Sequence, residues 1–384
     1  MKESVIDRVK SDLIKKIVSG EMAIGDAVLS ERKLSDKYCV SYMTARKAVF
    51  ELVEEGYLRK ESTRGTFVAN RWGGKNLSDC PVKPIIMLIM SDLISHLSHR
   101  TIGWLERIAR KNNFQLMVCN SELNVTCEAM HLEQAMLMSV AGVIISPCYP
   151  PINHQALEKL LSKGTPVVQI DKYFTDLDAA SVSCDNYDAA FSVVQYLHKL
   201  GHRRIAHITS NNSLRNISSI NERFEGYCDA LRKYGLEYRE EYIQELTKTC
   251  VHTTMDDLQL QYLGYREMSN LLKLAEPPSA VFLLFDEIAV GAMRAIADYG
   301  LKVPEDISVV GINNSDISSW TDPPLTTMAQ PIQELAIHAV SIIADHINGN
   351  PKPPDRIRLK AQLIVRESCK LYDREKFISG AVGK

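Results

Sequence analysis

The sequence predicts a multidomain protein, with a small α+β head followed by a larger α/β body built on parallel sheets. Three observations predict it. Residues 30–69 read as two helices joined by a tight turn and followed by a short hairpin with a basic tip. From residue 84 to about residue 372, apolar runs alternate with helical patterns, the order that gives parallel strands with helices on both faces. Between them, residues 71–83 contain two adjacent glycines, polar residues and Pro81, a composition expected of an interdomain linker. The expected division is a head at 1–70, a linker at 71–83, a body at 84–372 and a C-terminal tail at 373–384.

In the head, Ile6, Val9, Leu13, Ile14, Ile17 and Val18 recur at helical spacing, so a first amphipathic helix is expected, stopped by Gly20. Ser30 can cap a second helix carrying Leu34 and Tyr38. Val40 and Ser41 make the turn, and Ser41 can cap a third helix with a buried stripe of Ala45, Ala48, Val49, Leu52 and Val53. Met43 and Lys47 then face the opposite way, with Thr44 and Arg46 on the flanks, and Gly56 ends the helix. Residues 57–60 and 66–68 alternate as two short strands around a wing, Ser62-Thr63-Arg64-Gly65. This is the layout of a winged helix-turn-helix, whose recognition helix fits the major groove of DNA. The same outline also suits a three-helix dimerisation module whose charges are merely solvated.

In the body, strands are expected at 84–90, 115–119, 141–146, 166–171, 204–209, 280–284 and 307–312. Helices fit at about 99–112, 127–138, 153–163, 187–200, 221–235, 286–299 and 331–347. Ligands in such folds bind at the carboxyl ends of the strands.

Charge divides along the same boundary. The 384 residues carry a net −2, but residues 1–83 hold 16 Lys and Arg against 12 Asp and Glu, a net of +4, and the remainder a net of −6. That sign suits a DNA-contacting head on a neutral-to-acidic body. The nine cysteines are scattered without a CxxC pair, which points to buried thiols in a reducing compartment rather than a metal site. The N-terminus MKESVIDRVK lacks a signal-peptide core, and no run approaches the roughly 18 apolar residues of a membrane span. A cytoplasmic protein with no membrane, metal or cofactor requirement is expected.

The head resembles the DNA-binding domain of the GntR family of bacterial regulators. The resemblance rests on Ser30-Glu31-Arg32, Leu34, Val40-Ser41, Thr44, Arg46, Ala48, Leu52, Glu55-Gly56, Leu58 and Gly65-Thr66-Phe67-Val68. It implies contact with double-stranded operator DNA through Glu31, Arg32, Ser41, Tyr42, Thr44, Arg46, Lys47, Arg64 and Gly65. Arg32 would reach phosphate or a guanine edge, Thr44 and Arg46 would sit on the recognition helix, and Arg64 and Gly65 would bring the wing to the minor groove. Arginine suits this work because its planar fork pairs bidentately with guanine O6 and N7. Two positions depart from the pattern: Leu29 replaces the usual proline, and Tyr42 replaces the first arginine of the recognition helix.

The body is similar to LacI/GalR-type regulators. Ser181 to Tyr187, Leu200 to Ala206, Glu222 to Tyr227, Val303 to Gly311, Asp322 to Thr327, Gln330-Pro331 and Leu363 to Ser368 carry the likeness, in order. It implies a two-lobed α/β fold of the periplasmic-binding-protein-like type, with parallel sheets and an effector held between the lobes. Arg223, three residues before Gly226, would point into the cleft and bond ligand hydroxyls or carbonyls. Asp171, at the end of the fourth strand, and Ser91 and Asp92, after the first, stand where relatives meet ligand. Phe285 replaces a usual asparagine and offers stacking against an apolar sugar face, while Asn313 replaces a usual aspartate and retains hydrogen bonding without charge.

A GntR-type head on a LacI-type body resembles the arabinose-utilisation repressors. The implied function is a homodimeric transcriptional repressor released from operator DNA by a small sugar, arabinose or a related pentose being favoured. The alternatives are a purine or other corepressor in the cleft, an enzyme acting on a small polar metabolite there, and a transport protein. No Walker loop, HExxH, GxSxG or strand-following GxGxxG supports the enzyme.

Overall fold

The computed structural model describes residues 5–18, 21–23, 25–61, 64–69, 83–210, 216–246, 255–350 and 355–372. Two compact units divide it, Met1–Val82 and Lys83–Lys384. Linker residues 71–82, the tail 373–384, Gly20, and Ser62 and Thr63 of the anticipated wing lie outside the described residues.

The head holds helices α1 (Val5–Val18), α2 (Glu31–Tyr38) and α3 (Tyr42–Glu54) and strands β1 (Leu58–Glu61) and β2 (Gly65–Val68). Ser30 Oγ accepts the Lys33 N–H and Ser41 Oγ the Thr44 N–H, so each serine satisfies a donor that its helix start leaves unpaired. Val9, Leu13, Leu34, Ala45, Ala48, Val49, Leu52, Leu58 and Val68 form one buried cluster. Val53, expected in the buried stripe, stays partly exposed at its edge. Lys10 Nζ donates to Glu51 at 2.8 Å, tying α1 to α3. A third rung absent from the sequence reading joins the hairpin: Val28 N–H donates to Thr66 O and Val68 N–H to Asp26 O.

In the body the chain first builds lobe one: β3 (Ile85–Met90), α4 (His96–Lys111), β4 (Gln115–Asn120), α5 (Val125–Met138), β5 (Gly142–Ile145), α6 (His154–Ser162), β6 (Val167–Ile170) and β7 (Ala180–Cys184). It crosses to lobe two for α7 (Asn186–Lys199), β8 (Ile205–Ser210), α8 (Ser218–Lys233), β9 (Ile243–Leu246), α9 (Asp257–Leu272), β10 (Ala280–Leu283), α10 (Asp286–Asp298), β11 (Ser308–Ile312) and β12 (Thr326–Ala329). It returns to lobe one with α11 (Ile332–Ile347) and β13 (Arg356–Leu359), then ends in lobe two on β14 (Gln362–Ile364). The sheets run β13-β7-β6-β5-β3-β4 and β14-β12-β11-β10-β8-β9. All pairings are parallel except β12 with β14. Central strands such as β5 and β10 are buried throughout because helices cover both faces.

Five strands and one helix escape the periodicity reading. β7 is ASVSC and β12 is TTMA, small and polar sequences that form strands because the sheet buries them. β9, β13 and β14 lie at sheet edges with mixed exposure. α9 escapes the pattern because its buried face includes Gly264 and Glu267 beside Leu263, Met268, Leu271 and Leu272, which breaks the apolar stripe. The glycine has a purpose. A Cβ on Gly264 would stand 1.9 Å from Ile288 O, and one on Gly291 of α10 would stand 1.8 Å from Gln261 O. The two helices therefore cross backbone against backbone.

His202 lies just before β8 and is buried. Its ring nitrogens each lie 3.0 Å from a serine oxygen, Nδ1 from Ser279 Oγ and Nε2 from Ser308 Oγ. Burial pushes the imidazole down to about 4. The expectation of buried thiols needs correction: of the seven described cysteines, all free, only Cys148 and Cys184 are buried, and Cys39 is exposed on the turn after α2. Among the described residues no helix is long and apolar enough to cross a membrane, and no group of His, Cys, Asp and Glu could hold a metal ion.

Replacing Gly291 with alanine should cost about 1–3 kcal/mol in chemical denaturation, the usual penalty of overpacking. Gly103→Ala, at a helix position where a Cβ meets nothing within 4 Å, is the control and should be neutral or stabilising. Equal effects at the two sites would refute the close crossing. For His202, the unfolded chain binds more protons than the folded one between pH 6.5 and about 4, so stability falls as the pH drops through that window. His202→Gln should melt with a flatter pH profile than the parent over the same range; parallel profiles would contradict a buried neutral imidazole.

Candidate nucleic-acid interface and ligand cleft

On the head, Tyr42, Met43, Arg46, Lys47 and Phe50 are exposed along α3, and Arg32 is exposed at the start of α2. Among the described residues no ion pair holds Arg32, Arg46 or Lys47, so their cations remain open to an anionic partner. Arg64 is exposed at the wing, 3.7 Å from Glu61. Gly65 beside it has φ +115°, a conformation that side chains rarely adopt. Other expected contacts are partly spent on the fold. Ser41 Oγ and Thr44 Oγ1 share a hydrogen bond of 2.8 Å at the α3 cap, and Thr44 is half-buried. Glu31 accepts from the Tyr42 hydroxyl at 2.9 Å and from Lys60 Nζ at 3.0 Å. Burial works to raise its carboxyl, but Lys60 and Tyr42 hold it below the ordinary range. Tyr42 thus braces the recognition helix against α2 and the hairpin, a role its place in the sequence did not disclose.

In the body, the carboxyl ends of both sheets face a cavity of about 240 Å³ between the lobes. Strand order reverses at β3/β5 and at β8/β10, the switch points where such folds open a crevice. Ser91, Asp92, Asp171, Arg223, Phe285 and Asn313 all line it. The lobes bond across both rims. Arg100 Nη1 donates to Asn314 O at 3.1 Å, and His96 Nε2 lies 3.3 Å from Asp316 Oδ2. Opposite, the Tyr173 N–H donates to Ser218 Oγ at 2.9 Å, and both the Tyr173 hydroxyl and Arg358 donate to Glu222 Oε1.

Arg223 is buried on α8, and its position follows from Gly226 one turn later. A Cβ there would meet Tyr187 O at 2.3 Å, so the glycine lets α8 press against the start of α7. Arg223 Nε then donates to Asn186 Oδ1 at 2.8 Å and Nη1 to Leu284 O at 3.1 Å. Those bonds use two of the five N–H donors of a guanidinium. Asp171, at φ +66° just past β6, has no hydrogen bond to its carboxylate among the described residues. Burial pushes that carboxyl up against the pull of Lys172 and Arg223. An acceptor and a donor with spare capacity therefore share the cavity.

Asp92 serves a turn as well: its Oδ1 accepts the N–H groups of Ile94 and Ser95 ahead of α4. Asn313 Oδ1 accepts from Gln330 Nε2 at 2.8 Å, so Gln330, quoted in the sequence only as part of a motif, orients it and lines the cavity itself. Lys172, adjacent to Asp171 but not anticipated, donates to Ser91 Oγ at 3.0 Å. Asp286 supports the floor. Its carboxylate accepts from Ser315 N–H at 2.7 Å and from the Thr327 hydroxyl at 2.6 Å. Burial pushes it up to about 7. The space it occupies exists because residue 311 is glycine; a Cβ there would lie 2.2 Å from Asp286 Oδ1.

Residues 5–68 match the gntR family of bacterial regulatory proteins, and residues 194–369 match the periplasmic binding protein-like domain. The chain is 26% identical to the arabinose metabolism transcriptional repressor of Halalkalibacterium halodurans, covering 98% of this chain and 100% of that one. It is 28% identical to the transcriptional repressor CytR of Escherichia coli, covering 74% of this chain and 79% of CytR. A LacI family regulator from Enterococcus faecium, solved with bound ribose, superposes with a TM-score of 0.63 at 25% identity, covering 75% of this chain and all of the other. The chain joins a GntR-type helix-turn-helix domain to a LacI-type, periplasmic-binding-protein-like body, and it is a DNA-binding transcriptional regulator.

Proposed function

We propose that this regulator is a repressor whose head holds double-stranded operator DNA until a small sugar-containing effector occupies the interlobe cleft. The observation that carries the reading is the cavity itself: a buried arginine with spare donors and an aspartate with spare acceptors at the carboxyl ends of two facing sheets. A relative that represses arabinose metabolism and a solved neighbour holding ribose favour a sugar. Release requires only that the effector bind one lobe arrangement more tightly than the other, and the coupling is the ratio of those affinities. The role is binding rather than catalysis, and the protein needs no cofactor for it.

Repression of this kind suits a homodimer, since two heads read a near-palindromic site. A surface on lobe one supports the pairing. Edge strand β4 exposes Val118, and the adjacent α5 exposes Met130, Leu137 and Met138, with Leu137 at 83% exposure. Leu137→Glu should shift the sedimentation profile towards monomer. A variant that sediments like the parent would place the interface elsewhere.

Arg46→Ala should weaken operator binding by about 1–3 kcal/mol, the worth of a bidentate base contact, and narrow the gap between operator and random DNA. Fluorescence anisotropy with an operator selected from genomic fragments measures both. Unchanged discrimination would remove Arg46 from the base-reading set.

A further inference from the structure

Recognition helix α3 is not simply basic. Leu29, Tyr42, Met43 and Phe50 are the large apolar side chains left exposed among the described residues of the head, and three of the four lie on α3. Tyr42 and Met43 open that helix directly after the Ser41 cap, at 44% and 66% exposure. Apolar side chains scattered singly over a surface need no explanation. These two are adjacent, and the exposed cations Arg46 and Lys47 follow one turn later.

A helix-turn-helix presents the first turn of its recognition helix to base edges. In this head the polar groups of that turn are already engaged. The Ser41 and Thr44 hydroxyls bond to each other at 2.8 Å. The Tyr42 hydroxyl donates to Glu31 Oε2 at 2.9 Å, and Lys60 Nζ of β1 holds the other oxygen of that carboxylate at 3.0 Å. The phenol is thereby anchored at its far end with its one donor spent, which leaves the ring to meet DNA. With Ser30, Glu31 and Arg32 it lines one hollow in the surface. Met43 brings a flexible, polarisable chain with no donor.

The one apolar feature that base pairs show in the major groove is the C5-methyl group of thymine. Adjacent residues of a helix point about 100° apart, so Tyr42 and Met43 meet different base pairs. We propose that Tyr42 and Met43 are specificity-determining residues that read thymine through its methyl group at two positions of the operator. The assignment is independent of what occupies the cleft.

Uracil lacks that methyl group and keeps the hydrogen-bonding edges of thymine, so it isolates the contact. Each thymine of an operator selected from genomic fragments is replaced in turn, and fluorescence anisotropy measures binding of the full-length protein. At the contacted positions uracil should weaken binding about fourfold, as expected for one methyl group no longer buried. Tyr42→Ala should erase the penalty at one position and Met43→Ala at another, each leaving the other penalties unchanged. Both residues are exposed and lie outside the buried cluster of the head, so their truncation spares its core. Tyr42→Phe and Met43→Leu should retain the penalties, because each keeps the apolar contact. Parent protein that no uracil weakens, or penalties that persist in both alanine variants, would overturn the proposal. Persistence in one alanine variant alone would overturn the assignment of that residue. A penalty erased by Tyr42→Phe would overturn the role given to the ring and transfer it to the hydroxyl.

Discussion

The cleft depends on one buried cation. A guanidinium out of water is costly unless acceptors surround it, and Arg223 is almost wholly inaccessible. Asn186 and the Leu284 carbonyl take part of its demand, and Asp171 offsets its charge. The remaining donors are left for whatever enters the cavity. The arrangement is set locally, since Gly226 brings α8 against α7 and thereby sets Arg223 beside Asn186, the first residue of α7. It is also set globally, since Leu284 and Asp171 arrive from strand ends in different lobes.

A second clamp holds the opposite wall. Gly311 leaves room for Asp286, and Asp286 fixes the turn at Ser315. The preceding Asn313 and Asn314 sit at φ +105° and +48°, which most residues resist and asparagine tolerates. That turn presents Asn313 to the cavity on one side and the Asn314 carbonyl to Arg100 of the other lobe on the other. A cavity-lining side chain and a lobe-to-lobe contact thus belong to neighbouring residues of one segment. On the proposed effector reading, this segment is where occupancy of the cleft would bear on the arrangement of the lobes.

The head was legible because its determinants are local. Ser30 and Ser41 cap the helices that follow them, Gly56 takes φ +78° after α3, and Gly65 starts the second strand of the hairpin. The central strands of the body were legible for the same reason, as short apolar runs with helices between. What escaped depends on distant partners. α9 was hidden because Gly264 serves contact with α10, and Glu267 turns its charge to the neighbouring Arg266 rather than to water. β7 and β12 become strands through burial by the rest of the sheet. The six cleft residues could be named from the likeness of the body to its relatives, but Lys172 and Gln330 act through Ser91 and Asn313, pairings that no spacing encodes. Tyr42 read as a replacement for an arginine among the DNA-contacting residues, and the bond of its hydroxyl to Glu31, eleven residues earlier, is not encoded in that motif.

The central claim is that the cleft of this regulator binds a sugar-containing effector through Arg223. A thermal-shift screen of the full chain against pentoses, hexoses, their acids and phosphates, and nucleosides tests it most directly. A ligand that binds only the folded state raises the melting temperature with its concentration. The account predicts a concentration-dependent rise for at least one of these compounds, absent over the same range in Arg223→Ala. No rise with any of them, or an equal rise in the variant, would contradict it.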